Sequence, residues 1–147
     1  MTMTNEFETD LLNHIFNNAT HTDIGDAAGL LASAAAGDIF VSLHTGDPGE
    51  AGDQTTSECD YTDYARVAVD RDGAAWTVAA ANCSNAAAVT FPACSAGDAD
   101  VVTHFGLGSA LSGAGHLYMS GALSASLSVS VGITPQFAIG ELDVNAD

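Results

Sequence analysis

The stretch that decides the fold is IFVSLHT, residues 39–45, which Gly-Asp-Pro at 46–48 follows directly. Its side chains alternate between apolar and polar, with the period of two that is typical of a strand with one buried face. The apolar members of that face are Ile39, Val41 and Leu43. The Asp-Pro pair favours a turn. The stretch therefore predicts a β-strand that ends in a tight turn.

A catalytic centre is the alternative interpretation of this stretch, because His44 and Asp47 lie close together in it. A hydrolase of the α/β type carries its nucleophilic serine on a strained turn with the pattern G-x-S-x-G, and the chain lacks that pattern. We therefore interpret His44 as the end of the strand and Asp47 as the start of the turn. The sequence predicts that the protein is not an enzyme.

The same alternation recurs along the rest of the chain, between clusters of Gly, Ser, Asp and Pro. The further segments that show it are 64–70, 74–80, 86–92, 100–108, 115–123, 126–132 and 136–144. About eight short strands at regular spacing predict a mainly β fold, an antiparallel β-sandwich or jelly-roll-like module. Within it, DRDG at 70–73 is predicted to be a tight hairpin turn with Gly73 at its positive-φ position.

The N-terminal residues have a helical rather than a strand pattern. Phe7, Leu11, Leu12, Ile15 and Phe16 fall on one face at helical spacing, which predicts a helix at about 5–18. A second short helix is predicted at 26–37, with Asp26 as its N-cap. The chain is thus expected to be one compact domain, with a helical leader at 1–37 and a β-sandwich at 38–147.

The charge of the chain is strongly one-sided. It has 19 acidic residues, two basic residues and no lysine, which gives a formal net charge of -17. Binding to nucleic acid or to an anionic membrane requires Lys and Arg, so both are excluded as partners. The N-terminus lacks the positive region of a secretory signal, so synthesis in a host cytoplasm is expected. The acidity fits either an ordinary soluble surface or adaptation to a halophilic host, where salt screens the repulsion.

No cofactor and no metal site are predicted. Cys59, Cys83 and Cys94 lack zinc-ligand spacing, and they are interpreted as buried thiols or as one disulfide with a spare thiol. The acidic pairs at 70/72 and 98/100 resemble only the start of a calcium loop. His104 and His116 have no third ligand nearby in the sequence.

Six residues are candidates for a protein interface: Phe7, Leu11, Ile15, Phe16, Arg66 and Trp76. The helical face at 5–18 could lie on another subunit, or it could pack on its own domain. Arg66 could pair with Asp63, or it could bind a carboxylate of a partner chain. Trp76 could be a core residue or an interface anchor. Many strand positions are Ala, Ser or Gly, and such a thin core favours a homo-oligomer.

Several motifs resemble those of a family of small virion proteins of tailed viruses. They are LHTGDPGEAG, YARVAV, AVTFP and VTHFG, and the likeness extends from about Leu11 to Leu142. The resemblance implies a virion protein without catalytic residues. The first expectation is a decoration or cement protein on the capsid exterior, which docks on the major capsid protein and on copies of itself. The alternative is a tail-fibre or baseplate module that contacts the host surface.

Overall fold

A computed structural model describes residues 2–22, 24–25, 28–97 and 99–146 of the chain. Over these residues the fold is mainly β, with three antiparallel sheets, nine strands and one N-terminal helix, which confirms the predicted fold class. The jelly-roll arrangement stays a prediction. The elements are α1 (Asn5–Asn17), β1 (Asp38–His44), β2 (Val67–Asp70), β3 (Trp76–Ala79), β4 (Asn82–Asn85), β5 (Val89–Thr90), β6 (Asp100–Gly108), β7 (Leu117–Val129), β8 (Gln136–Phe137) and β9 (Asp143–Asn145).

The chain forms two compact units. Unit 1 comprises Met1–Asp38, Asp70–Val89 and Phe137–Asp147, and unit 2 comprises Ile39–Val69 and Thr90–Gln136. The predicted division into a leader at 1–37 and a β domain at 38–147 stays a prediction. The sheets have the strand orders β2-β1-β6-β7, β3-β4-β9 and β5-β8.

Unit 1 is built around the apolar face of α1. Leu12 and Phe16 lie one turn apart on that face and are both 1% exposed, and the helix packs on β3 and β4. The ring of Phe16 lies against that of Trp76, with centroids 4.7 Å apart. Burying these large side chains stabilises the unit by roughly 1.5–3 kcal/mol for each. The predicted helix at the N-terminus is therefore confirmed, and its face packs within this unit.

The predicted second helix at 26–37 does not form over the described residues 28–37. Instead, Leu30 and His21 form an isolated antiparallel bridge. Gly29 has a φ of +67°, and a Cβ there would clash with the backbone of Thr22, so the chain turns at a position that a helix cannot include. The predicted N-cap, Asp26, lies outside the described residues.

The four-stranded sheet places β1 between β2 and β6. Phe40 pairs with Gly108 and His44 with His104, in a continuous antiparallel register. The residues from Val41 to His44 are all buried, so both faces of this strand end are covered. Alternation predicted the strand correctly, but it did not predict that the polar face would also be buried.

The segment at 70–73 is a turn but not a hairpin. β2 pairs with β1 whereas β3 pairs with β4, so the strands that it joins belong to different sheets. The turn is made by Asp72, whose Oδ1 accepts hydrogen bonds from the backbone amides of Ala74 (2.9 Å) and Ala75 (3.0 Å). An aspartate that bonds the backbone in this way needs no positive-φ glycine after it.

All three cysteines are free and buried, which confirms the thiol interpretation. Burial raises the pKa of both Cys59 and Cys83 to about 12. Over the residues that the structure describes, no helix has the length and apolar character needed to cross a membrane.

A clamped loop as the candidate contact site

The loop at residues 109–116 joins β6 to β7 in unit 2. Its base is closed by two hydrogen bonds, from the Ser109 amide to the His116 carbonyl (3.0 Å) and from the His116 amide to Ser109 Oγ (2.8 Å). Gly113 and Gly115 have φ angles of +75° and +55°, which allow the chain to reverse. Leu111 projects from the loop and is 58% exposed.

Arg66 fixes this loop by hydrogen bonds to its backbone. Its Nη1 donates to the carbonyl of Ala110 and its Nη2 donates to that of Gly113, both at 2.8 Å. The same guanidinium forms a bidentate pair with Glu58, at 2.6 Å from Nε and 2.7 Å from Nη2. The Arg66 side chain is only 2% exposed, and that of Glu58 is 16% exposed. Charge-assisted bonds of this kind are short and strong, so the arginine holds the loop rigidly.

The position of Glu58 follows from the end of β1. An isolated bridge between His44 and Glu58 sets the 57–59 segment beside that strand. Tyr64 then donates its hydroxyl to Glu58 Oε1 at 2.9 Å, and accepts a hydrogen bond from the Leu43 amide at 3.0 Å. Burial raises the pKa of the Tyr64 hydroxyl. The bridge at the end of β1 and the Tyr64 hydroxyl thus both position Glu58 for its pair with Arg66.

Gln54 attaches the loop at a second point. It is fully buried, its Oε1 accepts from the Ala110 amide at 2.9 Å, and its backbone amide donates to the Ala114 carbonyl at 2.9 Å. A Cβ at Gly115 would collide with its side-chain amide, so only glycine fits there. These contacts and the Arg66 bonds hold both halves of the loop.

His44 has a bonding pattern that resembles a nucleophile–base pair. Its Nδ1 lies 2.9 Å from the Thr56 carbonyl, which only accepts, so Nδ1 carries the proton and donates. Its Nε2 lies 2.8 Å from Ser42 Oγ and accepts from it. Both side chains are completely buried, and a Cβ at Gly106 would overlap them. The pair is sealed from solvent, and burial lowers the pKa of His44.

Asp47 takes no part in that pair. Its Oδ1 accepts from the Gly49 amide at 2.9 Å, as in a turn that an aspartate initiates. The interpretation of His44 and Asp47 as strand end and turn is therefore confirmed. The buried Ser42–His44 pair was missed by the sequence analysis, although two polar residues at i and i+2 share one face of a strand.

A groove of about 420 Å³ lies beside the clamp. Its lining includes Leu111, Ser112 and Gly113 of the loop, together with Tyr64 and Arg66. Because Nε, Nη1 and Nη2 of Arg66 all donate to partners within the chain, the groove offers apolar and main-chain surface rather than a free charge. That surface suits contact with protein.

The structure places the six predicted interface residues separately. In unit 1, Phe16 and Trp76 are buried, whereas Phe7, Leu11 and Ile15 are half-buried on the helix. In unit 2, Arg66 is buried and pairs with Glu58, not with Asp63, which accepts from Ser95 Oγ instead. Their role at an interface stays a prediction.

In the predicted acidic turns, the carboxylates of Asp72 and Asp100 accept hydrogen bonds from backbone amides. Asp100 Oδ2 accepts from the amides of Asp60 (2.8 Å) and Tyr61 (2.9 Å), as Asp72 does in its own turn. Asp98 lies outside the described residues. His104 Nδ1 bonds Thr103 Oγ1 at 2.9 Å within β6, and His116 is exposed in the loop.

The structure thus describes a mainly β protein with a loop that Arg66 and Gln54 fix at both halves. The model of the family described as podophage GP4 fiber I protein gp80 matches residues 2–145. The chain therefore belongs to this family, which confirms the resemblance to virion proteins of tailed phages. It is a phage structural protein. A search of the curated proteins gives no match.

Proposed function

We propose that the protein is a subunit of a podophage tail fibre. The observation that carries this proposal is the family match over 2–145. The side-chain chemistry supports it, because Arg66 fixes a loop and the Ser42–His44 pair is sealed from any substrate. A fibre subunit acts by its shape and its contacts, so this role requires no catalytic centre.

Capsid decoration, with the major capsid protein as partner, fits this family less well than the fibre role. Immunogold labelling of purified virions separates the two. We expect label at the tail and a copy number far below that of the major capsid protein. Label spread over the head, with a copy number close to that of the major capsid protein, would overturn the fibre role.

We further propose that the clamped loop at 109–116 makes the contact between this subunit and its neighbour in the fibre. Its chemistry supports this, since Leu111 is 58% exposed on a loop whose backbone is fixed at both halves. A rigid apolar projection loses little conformational entropy on binding.

The change Leu111→Asp tests this contact. It should lower incorporation of the protein into virions, measured by quantitative mass spectrometry, while the isolated protein keeps its unfolding midpoint. The matched control is Leu31→Asp, because Leu31 is similarly exposed (64%) but lies in unit 1. Equal incorporation of the two variants would refute the contact.

A further inference from the structure

The charge of the chain is absent from one long stretch. No Asp, Glu, Lys or Arg occurs between residues 101 and 140, and all 19 acidic residues lie outside it. The stretch contains the whole of β7, Leu117–Val129. Two molecules of charge -17 repel each other wherever their acids meet. The neutral stretch is therefore where a second copy can approach at the least electrostatic cost.

The two edges of the four-stranded sheet differ sharply. β2 forms one edge, has four residues and ends at Asp70. β7 forms the other edge, has 13 residues and carries no charged side chain. Proteins protect exposed edges by making them short or charged, because unpaired backbone groups are a template for another strand. β2 is protected in this way and β7 is not.

Among the described residues, β7 has one neighbouring strand, β6. No isolated bridge, loop bond or turn bond in that part of the chain involves residues 117–128. Residues 117–120 line a groove of about 400 Å³ together with Asp47, Gly49, Glu50 and Gly52. The groove leaves space beside this part of β7 for another segment of chain.

The regular part of this edge lies in its first half. From Met119 to Ala122 the strand pairs with β6 in continuous register, whereas the register shifts at Tyr118 and again between Ala122 and Leu127. Irregularities of this kind distort a strand locally. Residues 119–122 therefore form the regular segment that another strand can pair with.

We propose that residues 119–122 of β7 pair with the same segment of a second copy, antiparallel about a two-fold axis. The contact is self-complementary, so the outward amides and carbonyls of each copy meet those of the other. A neutral strand brings no second acid beside Asp47 and Glu50 in the groove. The other long strands, β1 and β6, begin at Asp38 and Asp100.

This pairing does not depend on the fibre role, since a protein on the capsid could dimerise in the same way. The test uses the full chain in solution, with the molar mass measured by light scattering after gel filtration. We expect a dimer that tightens as the salt rises from about 0.1 M to about 1 M, because the Debye length falls from about 10 Å to about 3 Å.

A matched pair of variants locates the contact. Ala122→Asp places a charge at an exposed position of the β7 edge, and Ala68→Asp does the same on β2. We expect Ala122→Asp to weaken dimerisation by about tenfold or more, because each copy then brings an acid to a neutral strand pair that has no basic residue to offset it. Ala68→Asp should leave it unchanged. Ser120→Asp, also exposed, should reproduce the effect if Ala122→Asp fails to fold.

Amide hydrogen exchange gives an independent reading. Protection that grows with protein concentration should be confined to residues 119–122. A monomer at all concentrations and salts would overturn the proposal, and so would a dimer that both Ala→Asp variants weaken equally. Because virion labelling is measured separately, a monomer that labels at the tail would refute the pairing and leave the fibre role standing.

Discussion

Arg66 and Arg71 are the two basic residues of the chain, and they fix backbone by different means. Arg66, in unit 2, binds the carboxylate of Glu58 and two loop carbonyls. Arg71, in unit 1, binds three carbonyls, those of His14 (2.7 Å), Ile15 (2.5 Å) and Ala36 (2.8 Å). Over the residues that the structure describes, Arg71 forms no ion pair with an acid, although acids are abundant in the chain.

The difference follows from burial and from the local field. Arg66 is buried, and a buried cation requires an opposite charge and satisfied hydrogen bonds. Arg71 is half-buried at the C-terminal end of α1, where the carbonyls of the last turn lack intrahelical partners and carry partial negative charge. The partial negative charge of the helix end therefore stabilises the Arg71 guanidinium, as the carboxylate of Glu58 stabilises that of Arg66.

Arg66→Ala should have the largest effect on stability. Removing one partner of a buried pair leaves Glu58 uncompensated and two carbonyls unpaired, which should cost about 3 kcal/mol. The urea-unfolding midpoint measures this loss. Arg66→Lys is the matched control, since it keeps the charge but cannot form both the bidentate pair and the two loop bonds. Its unfolding midpoint should therefore lie between those of the unchanged protein and of Arg66→Ala. A loss below about 1 kcal/mol for Arg66→Ala would contradict the clamp.

Arg71→Ala should cost less, about 1–2 kcal/mol. It removes charge-assisted bonds to carbonyls that water can partly replace, together with the favourable charge at the helix end. The same urea titration measures it, with the helical circular dichroism signal as a second reading. Here Arg71→Lys should recover most of the loss, because a helix end needs a positive charge more than a planar fork. Equal losses for Arg66→Lys and Arg71→Lys would break the comparison.

Lowering the pH should destabilise the folded protein, because His44 is protonated. Burial lowers the pKa of His44 in the folded protein, so its stabilising contribution is complete above its ordinary pKa and is lost as the pH falls through the lowered value. The urea midpoint should decline as the pH falls below about 6.5, the ordinary pKa of histidine. His44→Gln removes this titration and should flatten the decline. His116→Gln, at an exposed position, should leave it unchanged.

Asp70→Asn should give the smallest effect, and one of opposite sign. Burial raises the pKa of Asp38, and the hydrogen bond and charge of Asp70 raise it further. A raised carboxyl pKa means that the ionised pair destabilises the fold at neutral pH, and that this cost is relieved as the pH falls. The variant should raise the urea midpoint slightly near pH 7. The gain should shrink in molar salt, and a gain that persists there would refute a repulsive pair.

Individual residues show how far the sequence leads. Helix α1 was predictable because apolar residues such as Leu12 and Phe16 recur at helical spacing. The end of β1 was predictable because the turn-forming residues Asp47 and Pro48 follow it. The prediction of a second helix at 26–37 was wrong because Gly29 has a positive φ, which an Ala-rich pattern does not reveal. Asp63, the partner within the chain that the sequence suggested for Arg66, was also wrong. Glu58 lies eight residues away, and the bridge to His44 brings it into place.

The amino-acid sequence by itself determined the mainly β fold, the helical start and the family. These depend on local periodicity and motifs, which are properties of the chain read in order. The exclusion of nucleic acid as a partner, which depends on the net charge, stays a prediction. The halophilic host stays a prediction on the same basis. Only the tertiary structure decided that Arg66 clamps a loop, that Ser42 and His44 are sealed, and that β7 is an edge. Those properties depend on which distant segments pair, and pairing is set by packing across the chain.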